Sequence, residues 1–350
     1  MIFEVYLLQP EQREVSAESI LEILASDPRY RATSRDPFQR LYSHPDTGTK
    51  FEVLVLPPPP DEQAPLGEND TEEHDEALDE DDAASEVSDA ESEAAGDELP
   101  GDEAGLGASE SAPDEPTNAA PVTLRLPLAC PSFFGEEALA VAQELAAKLG
   151  LELAGDVPSA ADLLPAWQAA NRKAADELLQ KGFALKVWTP ERASSWHRYG
   201  LGRESLAQNL APHGVDVPVL QAALHENEIK TLVTWQEGAS TLLPRCDLVL
   251  VDRERVKKSL LFSRRTRESG LIKGEKLWEI LAPHSERIDI PVEALIFHAS
   301  SPLPQSVAAA LEVLLLEPAE NARRRELLGV VDFEPERNAA GAAAERPGAP

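Results

Sequence analysis

The chain has 350 residues, a net charge of −31 and two cysteines. Two thiols in this length exclude a disulfide-stapled scaffold, and no apolar run reaches the ~18 residues of a membrane-spanning helix. The acid is concentrated: residues 57–118 hold 23 Asp and Glu and no Lys or Arg, which leaves −8 for everything else.

Ile2 to Leu8 alternates with Phe3, Val5 and Leu7 on one face and predicts a first strand. Met1 to Leu8 has no basic flank and carries Glu4, so it does not read as a signal peptide; a cytoplasmic setting is expected. Ser16 is placed to cap a helix to about Ala25, with Val15 and Ile20 at the staple positions. Tyr30 to Thr33 and Phe38 to Tyr42 read as extended, His44 to Gly48 as a turn, and Lys50 to Leu56 as a strand.

Residues 57–118 open on four prolines, Pro57 to Pro60. From Asp61 to Asn118 the apolar residues larger than Ala are Leu66, Leu78, Val87, Leu99 and Leu106, with no aromatic and no shared period. So little apolar surface cannot offset the entropy of ordering the chain, and a disordered acidic insertion is expected. Asp75 to Asp82 lacks the glycine turn of a calcium loop.

Val122, Leu124, Leu126 and Leu128 resume the alternation, with Pro127 suggesting an edge or a bulge. A helix from Phe133 to Leu149 follows, closed by Gly150. The order βαββ-insertion-βα predicts a ferredoxin-like α/β sandwich over 1–56 and 119–155, with the insertion 57–118 as an overgrown hairpin connection. A second mixed α/β body is expected over 156–333, and a disordered tail over 334–350, giving an α+β protein.

In that second body the pattern predicts helices over Ser159 to Gln180, Pro190 to Tyr199, Glu204 to Leu210, Pro218 to His225, Lys273 to Leu281 and Gln305 to Leu316. Strands are expected over Phe183 to Trp188, Ile229 to Trp235, Cys246 to Val251 and Ala294 to His298, the third of them central. All five tryptophans fall here, and Trp196, His197, Arg198 and Tyr199 read as a surface-groove group.

One stretch runs against the acidic composition. Arg253, Arg255, Lys257, Lys258, Arg264, Arg265 and Arg267 face a single acid, Glu254, a local charge of +6. It reads as an anion-binding surface for nucleic acid or another polyanion, or more simply as a solvent-facing loop and helix face after a core strand. Catalysis has one weak claim: Asp216, Glu228 and Lys230 could supply two carboxylates for a metal and a lysine for a scissile phosphate, as in a metal-dependent nuclease or phosphoesterase. The seven histidines form no zinc-ligand spacing, and the chain holds no phosphate-loop or dinucleotide motif, so no cofactor and no metal are expected. Cys130 and Cys246 read as packed thiols.

These features favour a non-enzymatic binding or regulatory protein with electrostatic contact surfaces, its partner most simply another protein. An acidic inhibitor or immunity-type protein that neutralises a basic partner is the further alternative. The acidic insertion could also compete, within one molecule, for the anion site.

Overall fold

The computed structural model describes residues 1–10, 15–34, 36–57, 121–258, 263–299 and 303–335; for 255–258 and 263–265 it describes the backbone alone. The acidic insertion, but for its first residue Pro57, and the tail after Pro335 lie outside the described residues. The fold is mixed α+β, with six α-helices and four sheets among the described residues.

The first layer is built from β1 (Ile2–Leu8), α1 (Ala17–Ala25), β2 (Tyr30–Ala32), β3 (Gln39–Ser43), β4 (Lys50–Val55), β5 (Val122–Pro127), α2 (Phe133–Leu149) and β6 (Glu152–Ala154). The strands form one antiparallel sheet in the order β2-β3-β4-β5-β1-β6. The register sets Val5 and Val53 opposite Leu124, and Leu7 and Val55 opposite Val122, so alternate residues of three strands make one buried face. Ile20 and Leu24 of α1 and Ala138, Val141, Ala142 and Leu145 of α2 belong to the same hydrophobic cluster.

Local signals explain the helix ends. The Ser16 hydroxyl accepts from Ser19 N at 3.2 Å, and Gly150 closes α2 in the left-handed region, φ 67°. Pro127 occupies neither an edge strand nor a bulge: β5 is interior, and the proline is its last residue, opposite Ile2. There its missing N–H costs little.

The remaining elements are α3 (Leu163–Gln180), β7 (Lys186–Val187), α4 (Pro190–Leu210), β8 (Gln221–His225), β9 (Glu228–Gln236), β10 (Thr241–Pro244), β11 (Leu248–Lys258), β12 (Ser263–Lys273), α5 (Gly274–Leu281), β13 (Ser285–Ile288), β14 (Ala294–Phe297), α6 (Gln305–Glu312), β15 (Glu317–Pro318), β16 (Arg323–Arg324) and β17 (Val330–Val331). A six-stranded sheet has the order β15-β12-β11-β9-β8-β16, with β9 and β11 parallel and β11 in its interior. β10, β14 and β13 form an antiparallel sheet, and β17 pairs with β7. One hydrophobic cluster takes in Val5, Leu124, Trp167, Trp196, Val233 and Phe297, so buried residues run on past residue 155.

Three further expectations are corrected. The two helices expected over Pro190 to Tyr199 and Glu204 to Leu210 are one, α4, running through Gly200 and Gly202. Gly200 is there for a close approach: a Cβ would stand 2.9 Å from the Thr47 methyl carbon and 3.1 Å from the Asp46 backbone. The helix expected over Pro218 to His225 is strand β8. It turns into β9 through Glu226 and Asn227, both at positive φ (49° and 65°), the geometry of a two-residue type I′ hairpin turn. Third, the basic stretch is neither loop nor helix. It belongs to the antiparallel hairpin of β11 and β12.

Candidate anion-binding ribbon

β11 changes character along its length. Val249 and Val251 lie in the main hydrophobic cluster, and Leu248 and Leu250 pack in a second one with Ala223, Leu232 and Leu271. Both faces of this half are covered, hence the unbroken apolar run. Pairing with β9 ends at Asp252 opposite Gln236, and β15 meets β12 only at Gly270 and Leu271. From Arg253 opposite Glu268 to Lys258 opposite Ser263, β11 and β12 pair only with each other among the described residues. Composition turns from aliphatic to basic where the neighbouring strands stop.

The root of this two-stranded ribbon is fastened by two of the expected anion-binding residues. Arg253 is turned inward and buried, with relative exposure of 6%. It donates to Glu268 at 2.8 Å and to the carbonyls of Leu311 and Leu314 at 3.1 and 3.3 Å. It therefore binds carbonyls at the end of α6 and is not part of an open cationic face. Arg267 is exposed but paired through two nitrogens with Asp252. The hydrogen bonds from Arg267 hold the Asp252 carboxyl below its usual range, and the same bonds raise the Arg267 guanidinium.

Further out, Arg255 lies opposite Thr266, Val256 opposite Arg265, Lys257 opposite Arg264 and Lys258 opposite Ser263. Each of these four register positions carries a cation, and one carries two. The side chains of Arg255, Lys257, Lys258, Arg264 and Arg265 lie outside the described ones. Like charges directly opposed destabilise an antiparallel pair.

Of the nuclease-like residues, Glu228 and Lys230 are paired, and Asp216 is held by a different segment. Glu228 starts β9 and pairs with Lys230 two residues on. The Lys230 hydrogen bond lowers the Glu228 carboxyl. Asp216 is fixed by its backbone to Ser240 and Leu242, beyond the other end of β9. Among the described residues no three His, Cys, Asp or Glu side chains group to hold a metal.

Sequence reasoning missed a buried polar joint. The turn His44–Thr49 between β3 and β4 is held by α2 and α4. Trp196 Nε1 donates to the Thr47 carbonyl at 2.8 Å, and Arg203 Nε to Asp46 at 2.6 Å. Glu137 of α2 accepts from Thr49 Oγ1 at 2.8 Å and from Tyr42 at 3.3 Å, with His197 Nε2 3.3 Å away. Burial pushes the Glu137 carboxyl up, but the His197 ring and the threonine hydroxyls outweigh it and leave the group below its usual range. Trp196 and Tyr199 are thus mostly buried, while both also line a cleft beside α4, and Tyr199 donates to the Pro218 carbonyl at 2.6 Å. The one visible signal was the turn itself, read from His44 to Gly48.

A cleft of about 370 Å³ beside α4 is lined by Arg192, Arg245, Cys246, Asp247 and Glu293. Four of its charges pair with each other: Arg192 donates to Asp247 at 2.8 Å, and Arg245 to Glu293 at 3.2 Å while stacking on Trp278; Glu191 and Glu275 line it as well. Burial pushes both the Cys246 and the Cys130 thiols up, away from the thiolate form. Comparison with family models, with curated proteins and with solved structures gives no match to this chain.

Proposed function

We propose that this is a non-enzymatic binding protein whose basic ribbon docks a polyanion, with the acidic segment 57–118 as a second, opposing electrostatic surface. The observation that carries the reading is the Lys257–Arg264 pair. Two cations at one register position disfavour the pairing of the strands that carry them, and a polyanion bound to the ribbon would relieve that repulsion. The acidic segment supports the same reading, since a tethered polyanion suits a site that binds polyanions.

Two finer readings go with it. The N-terminal sheet is ferredoxin-like: β6-β1-β5-β4 gives the 4-1-3-2 order of that fold, with α1 between β1 and β4 and α2 between β5 and β6, and β2 and β3 extending one edge. The compartment is cytoplasmic, which two free cysteines support. No helix among the described residues is long and apolar enough to cross a membrane.

The test is retention of the full-length protein on heparin and its anisotropy titration against a labelled polyanion at two salt concentrations. Four or five phosphate or sulfate contacts predict a log–log salt slope of about −4. No binding at low salt, or binding indifferent to salt, sinks the proposal.

A further inference from the structure

Resting on the polyanion reading, we infer that the ribbon's ligand is a B-form DNA duplex and that the ribbon enters its major groove. The first argument is size. From Arg253 to Lys258 the ribbon advances five residues, which is roughly 17 Å at ~3.4 Å per residue, and its two strands lie ~4.8 Å apart. The major groove is ~12 Å wide and ~8.5 Å deep, and it admits a two-stranded β-ribbon.

The second argument is where the cations fall. Successive strand positions alternate between faces. Lys257 and Lys258 are neighbours, as are Arg264 and Arg265, so positions on both faces of the ribbon are basic. A flat anionic surface, such as a lipid headgroup layer or an acidic protein face, meets only one face of a ribbon. Two walls of phosphate, one on either side, meet both.

The third argument separates duplex DNA from other nucleic acids. The major groove of duplex RNA is too narrow and deep for side chains to read. Single strands are held by bases stacked on aromatic side chains. Positions 253–258 and 263–268 of the ribbon contain no aromatic residue, and Phe262 between them is the one aromatic of the stretch, where stacking a run of bases needs several. The mount also suits insertion: Arg253 ties the root to the end of α6, and Arg267 closes on Asp252, leaving the outer positions as the basic part.

The test uses the full chain, with fluorescence anisotropy against a DNA duplex, an RNA duplex of the same sequence, the single DNA strand and heparin. Expected is DNA-duplex binding about tenfold or more above the other three, with guanine N7, a major-groove atom, protected from methylation. A triple variant, Lys257→Ala with Arg264→Ala and Arg265→Ala, should lower the salt slope by roughly 3. Should that variant melt early, Lys257→Ala and Arg264→Ala singly should each lower the slope by about 1.

Equal affinity for all four ligands overturns the DNA inference and leaves the polyanion reading standing. No binding to any of them overturns both. DNA binding that is displaced by a minor-groove ligand, or a slope unmoved in every folded variant, also overturns the ribbon's place in the major groove.

Discussion

Arg253 and Arg267 sit in one hairpin and share one side-chain chemistry, yet their surroundings assign them different work. Arg253 lies among the carbonyls at the end of α6, and Glu268, half exposed, balances its charge. Arg253→Ala takes a buried donor away from the Leu311 and Leu314 carbonyls, a loss of about 1–3 kcal/mol. Thermal melting should show a lowered midpoint, with polyanion affinity of the folded fraction nearly unchanged. Arg267→Ala, at an exposed pair, should move the midpoint little.

Glu137 offers a pH-dependent counterpart. Its folded-state pKa is depressed, so its contribution is fully present above the unfolded glutamate value of about 4.3 and is lost as pH falls through the folded value. Glu137→Gln should therefore cost about 2 kcal/mol at neutral pH, and the gap between variant and wild-type melting points should close in acid. A gap that stays constant from neutral pH to well below pH ~4 would remove the carboxylate from that role.

At the scale of elements, what could be read in the sequence was whatever a local period or cap dictates. The first strand, the Ser16 cap, the helix Phe133–Leu149 with its Gly150 stop and the central strand from Leu248 all follow from alternation, 3.6-residue spacing or backbone sterics. The misses have one physical origin, which is that tertiary partners outside the window decided them. The gap left between the two expected helices holds Gly200, and Asp46 packs against it there. β8 read as helical although the strand after it was expected, because the turn that joins them uses Glu and Asn where Gly is usual and so gave no hairpin signal. The ribbon was unreadable as a strand pair because its outer half has no core face to create an apolar alternation. Its basic residues were found from charge alone, while the inward turn of Arg253 depended on where α6 ends.

The same ribbon supplies a stability test. Lys257→Glu places an acid opposite Arg264 and replaces repulsion by attraction, which is worth about 0.2–1 kcal/mol. The melting midpoint should rise slightly while polyanion affinity falls. A variant that binds as tightly as wild type would show that the pair is not kept for a ligand.

For the whole molecule, the governing quantity is where charge lies. The net −31 would repel any polyanion, yet 23 of those charges belong to residues 57–118. Replacing residues 61–118 with a short Gly-Ser linker should tighten polyanion binding at ~50 mM salt, with the gain disappearing near ~1 M, where the screening length is about 3 Å. Unchanged affinity at low salt would separate the acidic segment from the ribbon's activity.

The excursion also leaves and re-enters the fold at one spot. Leu56 N donates to the Pro121 carbonyl at 2.9 Å, and β4 and β5 stay in register directly behind that bond. Strand pairing there does not depend on the length of what joins the two ends, so the joining peptide can lengthen or shorten at small thermodynamic penalty. A protease that nicks it should yield two bands under denaturing electrophoresis and a single particle in gel filtration, because β5 remains zipped between β4 and β1.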